Sequence, residues 1–179
     1  MRVIGLAGWS GSGKTTLLAR LIPRLRERGL SVSTIKHAHH AFDVDKPGKD
    51  SHTHRMAGAS EVLISSAHRF ALMRELRDEA EWTLPQLLAK LSPVDLVLIE
   101  GFKFESTPKL EVWRPSVDKA LRAPDDPYVR AILTDDPAAV TSDRPVIDLA
   151  DLDAIADAVM RYAELAGDVI AHCKGAKTP

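Results

Sequence analysis

Gly8-Trp9-Ser10-Gly11-Ser12-Gly13-Lys14-Thr15-Thr16 stands close to the start of the chain. Gly8, Gly13, Lys14 and Thr15 fill G-x-x-x-x-G-K-S/T, the phosphate-binding loop pattern. Its glycines let the backbone curl until successive N–H groups converge on an anion. A helix that follows adds free N–H groups and the positive end of its dipole. Lys14 then reaches β- and γ-phosphates, and the Thr15 hydroxyl binds Mg²⁺. The flanks supply the required setting. Arg2-Val3-Ile4-Gly5-Leu6-Ala7 reads as a buried strand. Leu17, Leu18, Leu21, Ile22 and Leu25 form an apolar stripe at helical spacing. Pro23 falls inside that stripe and should kink or shorten the helix.

Working outward, Gly29 serves as a C-cap, and residues 30–36 read as a second strand. Strand, helix and strand at this length predict a right-handed βαβ unit with parallel strands. Further strands are expected at 94–99, 109–114, 128–133 and 146–147, and a last helix starts at Asp151. The expected fold is α/β and P-loop NTPase-like: a mostly parallel sheet flanked by helices. Residues 1–168 read as one nucleotide-binding domain and 169–179 as a flexible tail. Glu61-Val62-Leu63-Ile64-Ser65 and Phe70-Ala71-Leu72-Met73 read as a β-hairpin attached to this sheet. Its exposed edge is the expected dimer contact.

In a parallel sheet, loops after strands share the rim that carries the phosphate loop, where ligands bind. Residues 36–51 fall there, with His37, His39, His40, three carboxylates and three lysines. They offer cations for phosphate and carboxylates for Mg²⁺. The histidines could instead hold a transition metal, although their spacing matches no standard zinc signature. An ordinary solvated loop is the third reading. Asp50 or Ser51 caps a short helix. The apolar 94–99 strand ends in Glu100-Gly101. A carboxylate there holds Mg²⁺ or orients an attacking water, and Gly101 lets the backbone approach a ligand. Asp136 before Pro137 suits an N-cap, leaving Asp135 to accept the two N–H donors of a guanine edge. Alternatively, Asp135 shares the capping.

The 179 residues carry a net charge of −1, which argues against bulk nucleic-acid binding. One cysteine, Cys173, excludes an internal disulfide and suits a reducing cytoplasm. No run has the length of a membrane span, and the immediate first strand leaves no room for a signal peptide.

Lys36-His37-x-His39-His40-x-Phe42-Asp43-x-Asp45-x-x-Gly48-Lys49-Asp50-Ser51, with Arg55 and Ala57-Gly58-Ala59, resembles the molybdopterin-guanine dinucleotide biosynthesis adapter (MobB) family. So do Glu100-Gly101-Phe102-Lys103 and Thr134-Asp135. The likeness runs from the phosphate loop to about residue 166. It implies a dimeric GTP-binding adapter with weak GTPase activity, aiding a separate guanylyltransferase that attaches GMP to molybdopterin. Carried over by position, Gly11, Ser12, Gly13, Lys14, Thr15 and Thr16 would bind GTP phosphates and Mg²⁺. Glu100 and Asp50 would complete the metal shell, and Asp135 would select guanine. Lys14 and Glu100 are the candidate catalytic residues. A small-molecule kinase, using Lys49, Arg55 and Lys103 to clamp an anionic acceptor, and a metal-insertion GTPase using His37, His39 and His40 are the alternatives.

Overall fold

The computed structural model describes residues 1–38, 42–102 and 104–175. Along the chain run β1 (Arg2–Ala7), α1 (Lys14–Glu27), β2 (Val32–Lys36), α2 (Asp50–Met56), β3 (Glu61–Ser65), β4 (Phe70–Arg74) and α3 (Leu84–Leu88). They are followed by β5 (Leu96–Glu100), β6 (Lys109–Val112), β7 (Val129–Thr134), β8 (Val146–Asp148), α4 (Leu152–Tyr162), β9 (Glu164–Leu165) and α5 (Ala166–Gly175). Two compact units result: Met1–His37 with Leu84–Pro179, and Ala38–Thr83. Residues 1–168, read from pattern as one nucleotide-binding domain, run through both units.

In the first unit the sheet runs β2-β5-β1-β6-β7-β8, each neighbouring pair parallel. β9 adds antiparallel to the first residues of β1, where β6 does not reach. Strand alternation sorts the core into two layers. Ile4, Leu6, Leu96 and Leu98 join Leu17, Leu21 and Leu25 of α1 and Ile155, Ala156 and Val159 of α4. Val3, Val97 and Ile99 join Leu84 and Leu88 of α3 and Val169 of α5. α1 continues through Pro23 rather than ending there, held by its buried leucines. Arg24 and Arg28 add ion pairs to Asp153 of α4, which hold the Asp153 carboxyl down at about 2.

Two expectations need correction. The segment from 169, read as a flexible tail, is helical to Gly175, because Val169 is fully buried in the second layer. The hairpin is not an extension of the parallel sheet. β3 and β4 pair in register, Glu61 with Arg74 through Ser65 with Phe70, as a separate two-stranded sheet in the second unit.

Candidate functional site

The loop Gly8–Thr16 links β1 to α1. Gly8 sits at φ +136°, and a Cβ there would fall 2.3 Å from the Val112 carbonyl oxygen of the neighbouring strand. Only glycine passes this point. Gly13 caps α1 at φ 93° without a side-chain bond, so the first-turn N–H groups have no side-chain cap. Ser12 is 1% exposed, and its hydroxyl has no hydrogen-bond partner. A buried hydroxyl left unsatisfied within such a loop fits a bound anion.

Lys14 Nζ donates to the carbonyls of Gly8 at 2.9 Å and Trp9 at 2.8 Å. Burial pulls its pKa below the ordinary lysine value; Glu100 opposes that shift and Lys36 reinforces it. Thr15 Oγ1 donates to Glu100 Oε1 at 2.9 Å. Register explains the meeting: β5 lies between β1 and β2, pairing Glu100 with both Leu6 and Lys36. The Glu100 side chain is 13% exposed, and Lys36 Nζ approaches Oε1 at 3.7 Å. The Thr15 hydroxyl and a Glu100 carboxylate oxygen thus meet as oxygen donors of the kind that suits Mg²⁺, with the Lys36 ammonium beside them.

Gly101 serves packing. At φ +99°, a Cβ would stand 2.7 Å from His37 Cβ. His37 N–H donates to the Glu100 carbonyl at 2.8 Å, and the His37 ring lies 4.6 Å from that of Phe102. The expected approach of Gly101 to a ligand is therefore taken up by His37.

Asp135 does not share the helix capping. Asp136 donates its own N–H to Thr134 Oγ1, and no side chain caps the turn at Pro137–Ala139. Asp135 pairs instead with Arg114, whose Nε donates to the Ser12 carbonyl at 3.0 Å. Sequence reasoning missed Arg114; the available signal was its place just beyond a strand end on the loop's rim.

Asp50 lies in the second unit, as the exposed first residue of α2. Two other carboxylates of that loop are engaged by Arg55. Its Nη2 holds Asp43 at 2.8 Å, its Nε lies 3.7 Å from Asp45, and its Nη1 holds Glu75 at 2.9 Å. Asp45 also accepts from Ser51 at 2.8 Å. The Asp45 N–H and Arg55 hold the Asp43 carboxyl below its usual value. These acids brace the loop from within. Expectations resting on His39, His40 and Lys103 lie outside the described residues. Among the described residues, no group of three or more His, Cys, Asp or Glu is gathered to hold a metal.

The family model for molybdopterin guanine dinucleotide synthesis protein B, MobB, matches residues 3–135. The molybdopterin-guanine dinucleotide biosynthesis adapter protein of Escherichia coli (strain K12) is 42% identical over 168 residues, covering 90% of this chain and 93% of that protein. Its counterpart in Haemophilus influenzae is 41% identical over 160 residues, covering 89% and 88%. A crystal structure of molybdopterin-guanine biosynthesis protein B aligns with a TM-score of 0.69 at 26% identity, over 89% of this chain and 98% of that one.

Proposed function

We propose, because this chain belongs to the MobB family, that it is a GTP-binding adapter in assembly of the guanine dinucleotide form of the molybdenum cofactor. Thr15 Oγ1 against Glu100 Oε1 at 2.9 Å, beside Lys14, is the observation that carries the nucleotide reading. Thr15 and Glu100 would hold Mg²⁺. The ion would supply positive charge against the β- and γ-phosphate oxygens. Gly11 to Thr16 offer backbone N–H groups and the α1 dipole to the phosphates. Lys14 adds an ammonium already drawn onto the loop. Asp135 would read the guanine edge. Because Glu100 is tied to Thr15 and Lys36, it serves the metal side, and hydrolysis is expected to be slow.

Guanylyl transfer to molybdopterin belongs, on this reading, to a separate guanylyltransferase, with which the chain associates in the cytoplasm. A second copy is the other partner. The β3–β4 hairpin forms a sheet of two strands and exposes Leu63, Phe70 and Leu72, at 63%, 73% and 52%. Unpaired edges with apolar faces favour pairing with an identical strand.

Size-exclusion chromatography with light scattering tests both partnerships. The chain alone should run at twice its 19.6 kDa, and should co-elute with a guanylyltransferase when GTP is present. A monomer that never co-elutes overturns the adapter reading. Product analysis of the same mixture should find free phosphate; a phosphorylated small-molecule acceptor would point to a kinase instead.

A further inference from the structure

Arg114 is the second residue beyond β6, and it joins two parts of the site. Its Nε donates to the Ser12 carbonyl of the phosphate loop at 3.0 Å, and its Nη1 pairs with Asp135 Oδ2 beyond β7. The guanidinium packs against the loop. A Cβ built at Gly13 would meet Nε at 3.4 Å and Nη2 at 3.5 Å. The side chain is one-third exposed, so it is partly shielded by these neighbours. A guanidinium is a rigid planar fork, and fixing it at two points fixes its plane. A carboxylate offers about four acceptor positions. Arg114 takes one of those on Asp135, and a purine edge with two adjacent N–H donors needs two.

We infer that Arg114 is the positioning residue for base recognition. Anchored on the Ser12 carbonyl, it holds the Asp135 carboxylate in the plane that receives the N1–H and exocyclic amine of guanine. This rests on Asp135 as the base-reading residue. It adds that base choice depends on a residue that need not touch the base, and that the base-reading group is braced against the phosphate loop. Aligned acceptors discriminate between donor patterns only while their geometry is fixed.

Calorimetry with GTP and ATP in Mg²⁺, on the unaltered chain, Arg114→Ala, Arg114→Lys, Asp135→Ala and the Arg114→Ala/Asp135→Ala double variant, tests it. Thermal unfolding run alongside reports folding. Arg114→Ala should cut the GTP:ATP affinity ratio about tenfold, the loss of one charge-assisted contact. Arg114→Lys should fail to restore it, since a single ammonium cannot span Ser12 and Asp135 as the fork does. The double variant should show the same ratio as Asp135→Ala. A ratio that survives Arg114→Ala overturns the proposal alone, as does full rescue by lysine or an additive double variant. A higher ratio in Arg114→Ala would make Arg114 a mask over Asp135, and also overturns it. No GTP preference in the unaltered chain overturns the base-reading role of Asp135 together with this proposal.

Discussion

Lys14 carries a positive charge that burial makes harder to keep, and its pKa is drawn below the ordinary lysine value. A bound triphosphate acts in the opposite direction, because anions favour the ammonium form. Between the lowered pKa of the free chain and the raised pKa of the complex, binding therefore takes up a proton. Affinity falls as pH rises through that window. Calorimetry at alkaline pH, in buffers of different ionisation heat, should show proton uptake by the unaltered chain and none by Lys14→Ala. The same substitution should weaken GTP binding by roughly 2–4 kcal/mol, as removal of a partly buried charge contact does. Unchanged affinity would contradict the assignment of the loop. Lys14, Thr15 and Glu100 were legible in the sequence because their chemistry is local: a contiguous loop and a strand that ends in an acid. Arg114 was not, since its partners Ser12 and Asp135 lie 102 and 21 residues away. The role of Gly101 was misread for the same reason. What needs its missing Cβ is His37, 64 residues earlier and just beyond the end of β2, which only the β2–β5 register brings close.

The continuous apolar runs of β1 and β5 read as buried strands, and both layers of the core are built from them. Alternation misleads at β6. Lys109-Leu110-Glu111-Val112 reads as one apolar and one polar face, yet all four residues are buried. The connection after β6 covers the polar face and satisfies it. Glu111 accepts from the backbone N–H groups of Arg122 and Ala123, both at 2.7 Å. Lys109 Nζ donates to the Glu105 carbonyl at 2.6 Å and to Asp126 at 3.1 Å. Burial pushes the Glu111 carboxyl up and the Lys109 ammonium down. Glu111→Gln replaces one acceptor oxygen by an amide nitrogen that can only donate, leaving one backbone N–H facing it unsatisfied. It should cost about 1–3 kcal/mol, read from the urea midpoint. No loss would mean that the connection is held by its other contacts. Composition gave no hint of this, because a buried polar face and a solvated one have the same sequence pattern until the covering segment is known.

Strand order in the whole molecule followed from pattern only as far as the first βαβ unit. Placing β5 between β1 and β2 depends on which face each crossover takes, and the insertion Ala38–Thr83 between β2 and α3 hides that connection. The insertion is a unit with its own sheet and its own Arg55-centred ion pairs, so its acids serve internal structure as well as any ligand. It also concentrates exposed apolar side chains, with Phe42, Met56, Leu63 and Phe70 each more than 60% exposed. Patches of that kind favour interfaces over solvated loops, which fits an adapter better than a self-contained enzyme. In the first unit, the phosphate loop, the Thr15–Glu100 pair and Asp135 lie along one sheet rim, the edge where open α/β sheets bind ligands, and the proposed reading puts one magnesium–guanine nucleotide complex there. Calorimetric titration of the unaltered chain with GTP and with ATP, each with Mg²⁺ and with a chelator, tests this most directly. The expected result is GTP binding that needs Mg²⁺ and exceeds ATP binding by about tenfold or more. Equal affinity for the two nucleotides, or GTP binding indifferent to Mg²⁺, would contradict it.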